Sequence, residues 1–173
     1  MIEQVELRPA RVEDAEALAS LYAAQREFLA PFDPVRPDGF YTVAGQRLEL
    51  EQAVAHSHAD LRHRFVIVAD GRIVGTLGIS NIVRGQFQSA NLGYFVAEEV
   101  NRRGVATHAV GLAVELAFTA LGLHRLEAGT LVDNVASQRV LEKNGFERIG
   151  LAPNYLRIAG DWRDHVLFQR VAE

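Results

Sequence analysis

The stretch from Val105 to Leu121 constrains this chain more than any other. Val105, Ala109, Leu112, Ala113, Leu116, Ala117 and Leu121 recur at helical spacing, with Val110, Val114 and Phe118 filling the flanks. A helix that is apolar nearly all round has no face to offer water and must be buried, so other layers are expected to wrap it. Its start is chemically odd. A helix N-terminus leaves backbone N–H groups unpaired and carries partial positive charge, which Asp, Glu or Ser in the first turn usually satisfies. Here Asn101-Arg102-Arg103-Gly104-Val105-Ala106-Thr107 brings two arginines and no acid before Glu115. Positive charge at that end costs about 0.3 to 1 kcal/mol per residue, and an external anion would reverse the sign. Gly104 lets the backbone turn close to a ligand, Ala106 is small and Thr107 adds a hydroxyl, which together describe a phosphate cradle on a helix start. The competing reading is an arginine pair on a solvated turn, with Asn101 as the cap.

The remainder of the sequence limits what such a helix can serve. The 173 residues suffice for one core, and no repeat, low-complexity stretch or composition shift divides them, so a single domain over 1–173 is expected. There is no cysteine, which excludes disulfides, thiolate metal sites and an acyl group carried on the enzyme's own thiol. The six histidines lack ligand spacing, so no metal is expected. With a net charge of −4 the chain has no general basic field for nucleic acid, and amine-bearing partners suit it better. The acid-bearing start Met1-Ile2-Glu3-Gln4-Val5-Glu6 is unlike a signal peptide, and no apolar run approaches the roughly 18 residues of a membrane span. A cytoplasmic protein, monomer or homodimer, without membrane contact is expected.

Along the chain, Gln4 to Arg8 is expected as a strand closed by Pro9, followed by a helix over Val12 to Tyr22. From Phe28 to Tyr41 three prolines sit among Phe28, Phe32, Phe40 and Tyr41; stiffened loops bearing aromatics suit a pocket wall, or a loop simply tacked onto the core. Helical spacing resumes over Gln46 to Arg62. Phe65–Ala69 and Ile73–Ile79 flank Asp70-Gly71 as a hairpin, and Ala90–Val96 supplies a third antiparallel strand. After the long helix come a strand from Arg125 to Val132, a helix from Val135 to Lys143 ended by Asn144-Gly145, and two strands around Ala159-Gly160-Asp161.

The loop Asn101-Arg102-Arg103-Gly104-Val105-Ala106 resembles the acetyl-CoA pyrophosphate loop of the GNAT (Gcn5-related N-acetyltransferase) superfamily, departing from it in having Asn101 where Gln or Arg is usual. Asn134-Val135-Ala136-Ser137 with Lys143-Asn144-Gly145-Phe146-Glu147 is similar to the Asn-x-x-Ser and Gly-Phe signature of RimJ/RimL-type ribosomal-protein-alanine N-acetyltransferases. So are Arg26-Glu27-Phe28-Leu29-Ala30-Pro31 and the tail from Asn154 to His165. The resemblance implies an α/β (α+β) fold: a mixed, mostly antiparallel twisted sheet of about seven strands with helices on both faces and splayed central strands forming an acetyl-CoA cleft.

It also implies chemistry. The cofactor acetyl-CoA would lie on Arg102, Arg103, Gly104, Val105, Ala106 and Thr107, along the backbone edge at Phe95 and Val96, and near Asn134, Ser137 and Lys143. The acceptor, expected to be a protein N-terminal α-amine of ribosomal-protein type, would meet Phe28, Phe32, Tyr41 and Tyr155; a small-molecule amine, or a non-catalytic acyl-CoA-binding module, are the alternatives. Direct transfer needs a neutral amine, donors for an oxyanion and an acid for the departing thiolate. Ser137 and Tyr155 are the candidate acids. Two carboxylates usual in relatives are replaced by Asn91 and Leu156, which leaves Glu127 or a water chain as base. Glu127 paired with Arg125 or a neighbouring strand is the competing reading.

Overall fold

The computed structural model describes residue 2 and residues 4–173. Seven strands, β1 (Val5–Pro9), β2 (Arg62–Ala69), β3 (Arg72–Val83), β4 (Ser89–Val96), β5 (Arg125–Leu131), β6 (Glu147–Ile158) and β7 (Asp161–Val171), form one sheet in the order β1-β2-β3-β4-β5-β7-β6. Every neighbouring pair is antiparallel except β4 with β5, which are parallel. Five helices surround it: α1 (Ala15–Ala24), α2 (Arg26–Leu29), α3 (Val43–His58), α4 (Val105–Thr119) and α5 (Val135–Lys143).

The expected element order is found with three adjustments, each with a local cause. Pro9 belongs to β1, opposite Phe65, because an edge strand tolerates a missing donor. The helix that spacing places over 46–62 runs from Val43 to His58. The Thr42 hydroxyl caps its start, accepting the Gly45 N–H at 3.1 Å, while Arg62 is drawn into β2 opposite Ser80. The proline-aromatic segment contains the single turn α2 as well as loop.

Two cores lie on the two faces. On one, α4 buries Val105, Ala109, Val110, Ala113, Val114 and Ala117 against Leu77, Ile79, Leu92, Leu126 and Phe168. The all-round apolar composition of α4 is thereby accounted for, each large side chain contributing about 1.5 to 3 kcal/mol on burial. On the other face Leu18 and Tyr22 of α1 and Leu50 of α3 cover Val66 and Val68. Gly75 lets β3 and β4 close up, since a Cβ there would stand 2.2 Å from the Phe95 carbonyl oxygen.

The central seam is short. β4 and β5 are in register only at Ser89–Arg125, Ala90–Leu126 and Asn91–Glu127. Beyond that point β4 continues to Val96 on β3 and β5 to Leu131 on β7, so the two strands part toward their C-terminal ends.

Candidate active site

α4 follows β4 and α5 follows β5, so both helix starts stand at the open end of the parting. The turn into α4 takes left-handed backbone at Arg102 (φ 61°) and Gly104 (φ 81°), the former a strained conformation costing about 1–3 kcal/mol. No side chain caps α4 and its first turn holds no acid. Asn101 ends the preceding 3-10 turn instead of capping the helix. The His108 N–H bonds back to the Gly104 carbonyl at 3.0 Å, so the N–H groups of Val105, Ala106 and Thr107 have no partner within the helix. A Cβ on Gly104 would meet nothing within 4 Å, so the turn itself is open on that side. Val105 is only 1% exposed, so its part there falls to backbone alone. The residue after Lys143 ties the helices together: Asn144 Nδ2 donates to the Thr107 carbonyl at 3.1 Å, holding the end of α5 against the first turn of α4.

Deeper in the parting, one side chain crosses it. The Tyr94 hydroxyl on β4 lies 2.9 Å from Ser137 Oγ, where either oxygen can donate, and its one proton has the Ser137 carbonyl oxygen at 3.3 Å as the alternative acceptor. Burial pushes the Tyr94 phenol up to about 12, the bond to Ser137 only partly offsetting it, so it is a neutral proton carrier at physiological pH. Asn134 caps α5 by accepting the Ser137 N–H at 3.1 Å, which fixes Ser137 on the first turn. Thr130, on the parted length of β5, is 4% exposed, and its Oγ1 has no hydrogen-bond partner among the described residues.

On the opposite face lies an open pocket of about 170 Å³ lined by Tyr22, Arg26, Pro34, Arg36 and Tyr41 among others. Tyr41 therefore lines it, whereas Phe28 and Phe32 face each other at 6.3 Å between ring centroids and do not. The β6–β7 turn closes one side, the Ala159 N–H donating to the Asp33 carbonyl at 3.0 Å. Tyr155, 41% exposed, leans from β6 across His165 of β7, its ring 5.5 Å from the imidazole and 3.5 Å from where a Cβ on Gly129 would stand. It thus points back toward the parting. Glu127 sits in the last β4–β5 register pair, with Arg125 Nη1 at 3.9 Å from its carboxylate. Asn91, its partner, is held by Asn81 at 3.1 Å, and Leu156 is exposed on β6. Among the described residues no three His, Asp or Glu side chains gather as a metal site, and no helix is long and apolar enough to cross a membrane.

A parted parallel pair with an uncapped helix start at its mouth coincides with the comparisons. Residues 4–147 match the family model described as Acetyltransferase (GNAT) domain. The chain belongs to the GNAT acetyltransferase family. It is 40% identical to the Probable N-acetyltransferase YjcK of Bacillus subtilis over 161 residues, 92% of this chain and 89% of that protein. It is 33% identical to the ribosomal protein uS5-alanine N-acetyltransferase of Escherichia coli over 156 residues, 89% of this chain and 80% of that one. Among solved structures, RimJ of Mycobacterium smegmatis in complex with CoA-disulfide superposes with a TM-score of 0.94 at 35% identity, covering 97% of this chain and 82% of that one. In this GNAT chain the sequence motifs around Gly104 and Ser137 meet at one cleft. Tyr94 and Thr130 joined them without any sequence signal beyond strand alternation, since both look like ordinary strand residues.

Proposed function

We propose that this GNAT protein acetylates the α-amine of a protein N-terminus, using acetyl-CoA, as a single-domain cytoplasmic enzyme. The observation that carries the reading is the parting of β4 from β5 with the uncapped, arginine-flanked start of α4 at its mouth. Acetyl-CoA supplies the acyl group as an activated thioester. The residues suit that group: the N–H groups of Val105, Ala106 and Thr107 with Arg102, Arg103 and Lys143 for its phosphates, Gly104 for close approach, and the backbone edge at Phe95 and Val96 for its amides. The orphaned, buried Thr130 hydroxyl suits a polar group lodged between the strands.

Ser137 is the proposed acid, with Tyr94 behind it. When Tyr94 donates to Ser137 Oγ, the Ser137 hydroxyl proton is free to move to an adjacent leaving group, the phenol replaces it, and the proton given up by the acylated amine restores the phenol. Tyr155, leaning over Gly129, is the second candidate and a wall for the acceptor. Asn134 keeps Ser137 in place.

The acceptor assignment follows from the base. Asn91 and Leu156 supply no carboxylate, which leaves Glu127, 3.9 Å from an Arg125 Nη1 that donates to Gln169, as the candidate base. An α-amine has a pKa of about 7.7–8.0 and is about one-third neutral near pH 7.5, whereas a lysine near 10.4 is neutral at about one part in a thousand. The α-amine needs little help; the lysine needs a placed base worth some 3–4 kcal/mol. The uS5-alanine N-acetyltransferase relative supports the same acceptor class. Peptides carrying both a free N-terminus, with alanine or serine first, and an internal lysine should gain acetyl on the α-amine alone, read by fragment-ion mass spectrometry. Acetyl found mainly on lysine refutes this assignment.

A further inference from the structure

Gly78 of β3 and Gly93 of β4 are direct cross-strand partners, two residues from Thr76 and Phe95 respectively. Those two meet Tyr22, by a 3.2 Å hydroxyl contact and a 5.1 Å ring contact, so both glycines face the α1 side of the sheet. Gly129 extends the same row across the parting, two residues beyond the Asn91–Glu127 pair. A row of glycines thus crosses the middle of the sheet on that face, open at Gly93 and flanked at Gly129 by Leu167, Tyr155 and His165. A Cβ on Gly93 would meet nothing within 4 Å, and one on Gly78 would first meet the guanidinium of Arg62, at 3.8 and 3.9 Å.

Arg62 leans over that row from β2, exposed yet surrounded by protein. It makes no hydrogen bond, and no carboxylate lies within 4.0 Å of it or of Arg64 among the described residues. Arg64 shares its strand face and is buried, its Nη2 donating only to neutral partners, the Tyr22 hydroxyl at 3.3 Å and Gln46 Oε1 at 3.4 Å. The charged groups that act on Arg62 are Arg64, Glu49 and Arg36, and Arg36 is already tied to Asp33 at 3.4 Å. Burial and the like charges of Arg64 and Arg36 lower the Arg62 guanidinium, although it stays charged. Glu49 opposes that shift from beyond ion-pair distance, so in a chain of net charge −4 this is a local positive spot with no carboxylate in direct contact.

We propose that Arg62, backed by Arg64, receives an acidic side chain of the acceptor, so that the protein selects N-termini bearing Asp or Glu at the second to fourth residue. Strands lie about 4.8 Å apart and an extended peptide advances about 3.3 Å per residue, so an amine placed at the parting beside Gly93 puts such a residue over Gly78. The proposal rests on the α-amine reading and gives it a substrate class.

Three peptides beginning with alanine and carrying Glu, Gln or Lys at positions two to four test it, with kcat/KM for acetylation and calorimetric binding to the protein without acetyl-CoA. The Glu peptide should exceed the Gln peptide by about tenfold, mostly through KM, and the gap should shrink in about 0.5 M salt. Arg62→Glu, whose melting temperature checks that it folds, should abolish that preference and favour the Lys peptide; Arg62→Lys should keep part of it. Equal kcat/KM for all three peptides, or a uniform loss in Arg62→Glu, overturns the proposal. Glu-peptide binding that depends on Arg62 without any acetylation upholds the anion site and refutes the α-amine function instead.

Discussion

The hydroxyl of Tyr94 on β4 meets that of Ser137 on α5 at 2.9 Å, joining the two strands' flanks where the sheet itself has come apart. The pair is a structural brace and, in the proposed reaction, the proton path. Ser137→Ala and Tyr94→Phe should each lower kcat by about tenfold or more while changing acetyl-CoA affinity little. The double variant should be no worse than the poorer single one, because the two act as a unit. Strictly additive losses would separate their roles, and a larger loss in Tyr155→Phe than in Ser137→Ala would transfer the acid to Tyr155.

Tyr94 also predicts behaviour in alkali. Its phenol is held protonated to about 12 in the fold, whereas the unfolded chain releases that proton near 10. Between those values the unfolded state binds fewer protons, so stability falls as pH rises, by about 1.4 kcal/mol at pH 11. Urea unfolding at pH 9 and 11 measures the drop, and Tyr94→Phe should remove that share of it.

Gly104→Val should abolish acetyl-CoA binding in calorimetry while the protein remains folded. A Cβ at 104 would meet no other protein atom within 4 Å, so the loss is expected from added bulk beside a close-approaching ligand, and at φ 81° the substitution strains the turn by about 1–3 kcal/mol. Cofactor at about 100 times its dissociation constant should stabilise the parent by about 2.7 kcal/mol and the variant not at all.

Asp14 carries the acid limb. Burial alone would raise its carboxyl, but two bonds from Arg8, at 2.9 and 2.7 Å, and the Arg11 N–H at 2.8 Å hold it below its usual value. Its stabilisation is complete above the unfolded value near 3.9 and is lost as pH falls through the lower folded one. Asp14→Asn should cost about 1–3 kcal/mol at pH 7 and flatten the stability profile below pH 4, measured by chemical denaturation.

What could be read from the chain was local. The missing anion of α4, the Asp70-Gly71 turn with both residues at positive φ, and the bounds of α5 from Asn134 to Lys143 are written within a few residues of one another. Tyr94 and Ser137 are 43 positions apart, and nothing near either names the other. The same holds for Arg62 above Gly78, which depends on the register of β2 with β3, and for the orphaned hydroxyl of Thr130, which is visible only once β4 has left β5. Helix α2 was hidden by the prolines after it: Pro31, Pro34 and Pro37 stop a helix at its far end but do not forbid one turn before them.

The three-pair seam has a mechanical consequence. β4 is fastened to β3 by seven register pairs and β5 to β7 by seven, so each flank is stiff while the join between them is not. Two paired leaves thus meet along a short spine ending at Asn91 and Glu127, and beyond it side-chain ties such as Tyr94 to Ser137 and Asn144 to Thr107 take over from the backbone ladder.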